Sequence, residues 1–234
     1  MNLNKNLIHI FLSASLFLTS ALVIAEPNHD SAQRQQALKL IDAKRHKEAL
    51  ILLFPLAKGG DTKSQIALGI AYARGEGVPK NLKESAKWFK NAAMQGDVMA
   101  QSIIASIYME GLGVNKNITE AIKWLKKSAN QGDIDSQFIL GSLYDRGEDV
   151  PRNYSEAFQW YKKAAEQGND KAQFNVGAFY FNGLGIKKDP KQALKWFQIS
   201  TNRGNRKARK TLDIMYCLGQ GGVPETPSRC PRPN

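Results

Sequence analysis

The chain has 234 residues, 42% hydrophobic and 23% charged, a balance that excludes a disordered chain and a membrane-embedded one and allows one substantial folded core. With 33 Lys and Arg against 21 Asp and Glu the net charge is +12, which favours anionic partners. Three His and two Cys leave little material for metal or nucleophilic chemistry.

At the N-terminus Lys5 precedes an apolar run from Leu7 to Ile24, and Val23-Ile24-Ala25 offers small residues for cleavage. Residues 1–25 therefore read as a secretory signal peptide, which predicts a periplasmic or secreted protein. Membrane contact is expected only if this segment stays uncleaved. Residues 26–30 read as a linker, and 31–59 as a degenerate helix pair: Ala32 to Lys44, a short turn around Arg45-His46, then Glu48 to Lys58.

Residues 60–204 carry a repeat. Gly60, Gly96, Gly132, Gly168 and Gly204 are spaced by 36 residues, and the same step joins Trp88, Trp124, Trp160 and Trp196; Tyr72, Tyr108, Tyr144, Tyr180 and Tyr216; and Gln65, Gln101, Gln137 and Gln173. Punctuation divides each unit into two helices. Gly60-Asp61, Gly96-Asp97, Gly132-Asp133, Gly168-Asn169 and Gly204-Asn205 pair a left-handed stop with an N-cap. The second helix opens at Asn81-x-x-Glu84, Asn117-x-x-Glu120, Asn153-x-x-Glu156 and Asp189-x-x-Gln192, the spacing of a reciprocal capping box, with Pro190 at the first helical position.

Between the helices lie Gly75-x-Gly77, Gly111-x-Gly113, Gly147-x-Asp149 and Gly183-x-Gly185. No strand precedes them, so a phosphate cradle is not expected. Core positions follow helical spacing: Ala100, Ile104, Ile107 and Tyr108 on a first helix, then Ala121, Trp124, Leu125, Ser128 and Ala129 on a second. One pair cannot bury its own apolar faces. The prediction is an all-α fold, a right-handed α-solenoid of stacked antiparallel helix pairs with a long concave surface.

Residues 205–216 read as a lone capping helix and 217–234 as a Pro-rich tail. A Cys217–Cys230 bridge is expected in an oxidising compartment, two free thiols being the alternative. Closing that loop would contribute about 3 kcal/mol.

The strings Ala121-x-x-Trp124-Leu125-x-x-Ser128-Ala129-x-Gln131-Gly132 and Ala157-x-x-Trp160-Tyr161-x-x-Ala164-Ala165-x-Gln167-Gly168, with Gly141-x-x-Tyr144-x-x-Gly147, resemble the Sel-one-like repeat, a relative of the tetratricopeptide repeat. The resemblance implies an adaptor or scaffold without shared catalytic residues, used by bacteria in envelope assembly, signalling or host contact. A cysteine-rich exported branch staples each repeat with a disulfide and is associated with β-lactam binding, which implies a cell-wall or β-lactam hydrolase as the alternative function. This chain has no paired Cys within its repeats.

A catalytic imidazole needs folded surroundings, yet His29 falls in the expected linker and His46 in a turn. The chain is therefore not expected to be an enzyme, nor to hold a metal or cofactor. Lys87, Lys90, Lys123, Lys126, Lys127, Lys162, Lys163 and Lys195 cluster on second helices, but Lys interspersed on a helix usually marks a solvated face, and export argues against nucleic acid. An anionic envelope component remains open.

The expected partner is a protein or peptide on the concave face. Counting 100° per residue, the side of the first helices opposite their core stripe carries Ile66, Ser102, Phe138, Phe174 and Lys210, then Ala73, Met109, Asp145 and Phe181. Ser102, Met109, Phe138, Asp145, Phe174 and Phe181 are the candidate contact residues. Phe138, Phe174 and Phe181 either form an exposed aromatic patch or pack against adjacent repeats.

Overall fold

A computed structural model describes residues 29–230, so the expected signal peptide and residues 26–28 of the expected linker lie outside the described residues. The described residues form eleven α-helices and one short 3-10 turn, with no strand. The chain divides into two compact units between Ser128 and Ala129. The first holds α1 (His29–Asp42), α2 (His46–Lys58), α3 (Thr62–Arg74), α4 (Leu82–Met94), α5 (Val98–Glu110) and most of α6 (Ile118–Asn130). The second holds the end of α6, then α7 (Ile134–Arg146), α8 (Tyr154–Glu166), α9 (Asp170–Asn182), α10 (Pro190–Asn202), α11 (Arg206–Cys217) and the turn Pro227–Arg229. Consecutive helices pack on one another from α1 to α5 and from α7 to α11, the helix-pair stacking of an α-solenoid.

The punctuation works as local chemistry. Asp61, Asp97, Asp133, Asn169 and Asn205 accept hydrogen bonds from first-turn N–H groups of α3, α5, α7, α9 and α11, each worth about 1 kcal/mol. Gly75, Gly111, Gly147 and Gly183 end first helices in the left-handed region, where a Cβ would be strained.

The capping box is only half formed. Asn81, Asn117, Asn153 and Asp189 do cap α4, α6, α8 and α10. Their own N–H groups, however, donate to the carbonyls of Tyr72, Tyr108, Tyr144 and Tyr180 at 2.8–2.9 Å, rather than to the residue three positions on. Those carbonyls stand in the last turns of first helices and lack an intrahelical donor, so two orphan groups satisfy each other and close the loop. The freed carboxylates turn to solvent-side lysines: Glu84 pairs with Lys87 at 3.7 Å and Glu120 with Lys123 at 2.6 Å.

Packing is complementary position by position. A Cβ on Gly69, Gly141 or Gly177 would lie 2.9, 2.5 or 2.7 Å from the ring of Phe89, Tyr161 or Phe197 respectively. The second repeat has Ala105 and Leu125 at these two positions, so the small residue grows where the large one shrinks. Phe89, Leu125, Tyr161 and Phe197 are all almost fully buried, and each such burial stabilises by about 1.5–3 kcal/mol. Trp88 lies edge-on to Phe54 of the preceding helix pair, with 6.5 Å between ring centroids.

A buried glutamine ladder links successive second helices to the first helices that follow. Gln65, Gln101, Gln137 and Gln173 donate to the carbonyls of Ala57, Ala93, Ala129 and Ala165 at 2.9–3.2 Å. Gln95 and Gln167 complete two rungs by donating to Gln65 and Gln137 at 2.8 Å. Buried amides left unpaired would each cost about 1–3 kcal/mol, so the ladder fixes the register of one pair on the next.

At the C-terminus the pattern runs further than the last full repeat. Gly219 and Gly221 follow Gly183 and Gly185 by 36 residues, and both have positive φ. The Thr226 N–H donates to the Tyr216 carbonyl at 2.8 Å, as Asp189 does to Tyr180. Cys230 is bonded to Cys217, with the two Cα atoms 4.9 Å apart, and Arg229 lies 4.4 Å over the Tyr216 ring.

Candidate functional site

The candidate contact residues fall on α5, α7 and α9, and none is fully exposed. Ser102 and Met109 on α5 are half-buried, and the Ser102 carbonyl accepts a hydrogen bond from Ser106 Oγ at 3.2 Å. Ile66 and Ala73, on the equivalent side of α3, are buried, because α3 is enclosed almost continuously from Ser64 to Ala71. A helix packed against both the preceding helix and its own partner buries more than one stripe.

In the second unit the same side is built from rings. Phe138 packs against Tyr161 at 5.5 Å and Phe174 against Phe197 at 5.6 Å, each within its own repeat. Phe181 packs against the cluster formed by Leu194, Phe197 and Leu212, with Lys188 Nζ 5.7 Å from its ring centroid. The three rings are half-buried and packed on neighbouring side chains rather than a free patch.

Beneath them sits a polar group that periodicity does not announce. The Tyr161 hydroxyl lies 3.4 Å from Asp145 Oδ2 and donates to it. Ser142 on α7 and Asn175 on α9 are the other polar groups that act on this hydroxyl, both lowering its pKa. Tyr161 is the one hydroxyl in a column otherwise made of Phe89, Leu125 and Phe197, and that exception is the signal by which the sequence marks the site. Burial is the main cause holding the Asp145 carboxyl above the usual carboxylate range, opposed by the Tyr161 hydrogen bond and by Arg152 and Arg146. Burial and the Asp145 charge push the Tyr161 hydroxyl up, so it stays protonated and serves as a donor.

The second helices present a different surface. Lys127 and Lys163 lie over the faces of Trp124 and Trp160, 4.2 Å from the ring centroids. Lys162 pairs with Glu166 at 3.8 Å. His46 is the first residue of α2 and half-buried, beside an apolar cavity rather than a nucleophile. Among the described residues no group of three or more His, Cys, Asp or Glu side chains could hold a metal ion, and no helix is long and apolar enough to cross a membrane. What the arrangement supplies is shape and hydrogen bonding: packed rings beside a half-buried Asp145 carboxyl that accepts from the buried Tyr161 hydroxyl.

Comparison with known proteins agrees with this architecture. The Sel1 repeat family model matches residues 62–97, 98–133, 134–169 and 170–205, each running from a first helix to the following N-cap. A Sel1 repeat protein from Oxalobacter formigenes is 33% identical, with a TM-score of 0.75, 84% of this chain and 80% of that one being covered. Similar too is c5321, a protective antigen of uropathogenic Escherichia coli strains with an SLR fold, at 29% identity and a TM-score of 0.76 over 95% of this chain. The chain spans only 46% of that protein's length. No curated protein matches the chain. Four consecutive matched repeats, covering more than half of the sequence, show that this chain belongs to the Sel1 repeat family.

Proposed function

We propose that this protein is an exported, non-catalytic scaffold that binds a protein or peptide partner through the first-helix side of its second unit. Sel1 repeat scaffolds typically mediate protein–protein interaction, and the observation that favours this side is the pairing of fixed rings with polar groups. Phe138 and Phe174 pack on Tyr161 and Phe197, and the Tyr161 hydroxyl is bonded to Asp145 on the same helix as Phe138. Rigid aromatic anchors beside convergent hydrogen-bonding groups are what binding hot spots are made of.

Export is supported by the pattern of residues 1–25 and by the Cys217–Cys230 bridge, which suits an oxidising compartment. The E. coli relative's character as a protective antigen points the same way. Fractionation of cells expressing the tagged chain tests it: the protein leaves the cytoplasm only with residues 1–25 present, and retention in the cytoplasm contradicts export.

A photo-crosslinking amino acid at Phe174, compared with one at Lys163 on α8, tests the binding side. The proposal expects a discrete adduct from position 174 in the native envelope, lost with Asp145→Arg and absent from position 163. Equal adducts from both positions, or none from 174, would contradict it.

A further inference from the structure

The first unit contains a cavity of about 50 Å³ at the joint between the degenerate pair and the first full repeat. Leu53, Ala67 and Ala71 form part of its apolar wall, and His46, Arg74 and Glu76 supply its polar groups.

The repeat register explains why the hole is there. Ile103 and Ile107 stand 36 residues after Ala67 and Ala71, and Phe179 stands a further two repeats beyond Ile107. All three larger side chains are almost completely buried. Leu53 stands in the column of Phe89, Leu125, Tyr161 and Phe197, and only Leu125 is as small, but Leu125 faces Leu143 where Leu53 faces Ala71 in register. At this one joint the frame is kept while the filling is missing, and the wall atoms lack the dispersion partners their counterparts have.

The polar wall is also particular to this joint. Position 46 is His where the later repeats have Leu82, Ile118, Tyr154 and Pro190. Arg74 Nη1 faces Glu76 at 3.6 Å, but Arg74 Nη2 is buried with no hydrogen-bond partner. A buried N–H without an acceptor is costly, and more so on a charged group. Apolar space for a few carbon atoms thus coincides with a guanidinium that faces Glu76 through Nη1 and whose Nη2 has no acceptor.

We propose that this cavity binds a short aliphatic carboxylate of about four or five carbons, whose chain takes the place of the missing side chains and whose carboxylate accepts from Arg74 Nη2. The size follows from the volume: each water-sized position needs about 10–15 Å³, so about 50 Å³ holds roughly four chain carbons, the tail of a five-carbon acid whose carboxyl group lies outside that volume, at Arg74. A carboxylate is favoured over a neutral acceptor because its hydrogen bond to guanidinium is charge-assisted. This site is separate from the partner-binding side proposed above and does not depend on it.

The test titrates the whole mature protein with valerate, acetate and 1-pentanol, following backbone amide shifts of Ala67, Ala71 and Arg74 by NMR. Valerate should give saturable shifts at these amides. Acetate, lacking the chain, should give none, and pentanol, lacking the charge, should bind at least tenfold more weakly. Ala71→Ile should abolish valerate binding while preserving or raising the melting temperature, with Ala67→Ile as the second filling variant should Ala71→Ile fail to fold. Arg74→Gln should weaken valerate at least tenfold and leave pentanol unchanged. Valerate shifts that do not saturate, pentanol binding as tightly as valerate, or unchanged binding in a folded filling variant would overturn the proposal.

Discussion

At the joint between α2 and α3 position 71 is alanine and the neighbouring column holds Leu53, whereas at the equivalent joint of the last full repeat the residues are Phe179 and Tyr161, two rings 5.7 Å apart. Phe158 and Tyr154 close around Phe179 as well. Yet both joints share the same N-caps, the same left-handed glycine stops and the same buried glutamine bonded to the preceding helix. The backbone frame is therefore set by caps, glycines and amides that recur, and the side chains inside it are free to differ in volume. That freedom leaves a hole in the first unit and an aromatic core with a polar knot in the second.

Removing the filling at the crowded joint should have the largest effect. Phe179→Ala makes the last repeat resemble the first, and about 3–5 kcal/mol should be lost in urea unfolding. A loss below about 1 kcal/mol would mean that the ring contacts around Phe179 contribute little. Opening the staple comes next. Cys217→Ser with Cys230→Ser releases a loop with a separation of 13 residues, and about 3 kcal/mol should disappear, read as lower protection of α11 amides and a lower melting temperature.

The glycine–ring complementarity gives a smaller and sharper test. Gly141→Ala places a Cβ against Tyr161 and should cost about 1–3 kcal/mol despite alanine's better helix propensity. In a Tyr161→Leu background, which copies the Ala105 and Leu125 pair of the second repeat, the same substitution should cost nothing or stabilise. At the hollow joint the sign reverses: Ala71→Ile should stabilise by about 0.5–2 kcal/mol.

The smallest effect concerns Asp145. Its folded pKa is raised by burial. The associated stability is therefore fully present below the unfolded carboxylate pKa and is lost as pH rises through the folded value. Asp145→Asn should accordingly raise stability at neutral pH, with the advantage shrinking as pH falls from the raised folded value to the ordinary carboxylate value. A constant difference across that range would contradict the assignment.

Much of the frame was legible in the sequence because it depends on local chemistry at fixed spacing. Glycine at a left-handed stop and Asp or Asn at an N-cap act within one turn of chain, so their recurrence every 36 residues announces the helix pairs. The reciprocal capping box was misread. Whether a cap N–H goes to its own Glu or to a tyrosine carbonyl depends on how the intervening loop closes, and that is a tertiary fact. The candidate side was only partly legible. Helical counting placed Phe138 and Phe174 on one side, but not their fixed packing on Tyr161 and Phe197, and it put Ile66 on a side that is buried. Tyr161 itself was hidden because it sits in the core column; its significance lies in a hydroxyl that reaches Asp145, a contact set by helix separation rather than period.

Native-state hydrogen exchange tests the constant frame with unequal filling most directly. The amides of Leu68–Tyr72 in α3 and Val176–Tyr180 in α9 should be compared with the Cys217–Cys230 bridge reduced, so that each helix has two described helices on its outer side and no staple among them. The account predicts a higher opening free energy for the α9 amides, with Ala71→Ile narrowing the difference. Equal protection of the two segments, or stronger protection of α3, would contradict it.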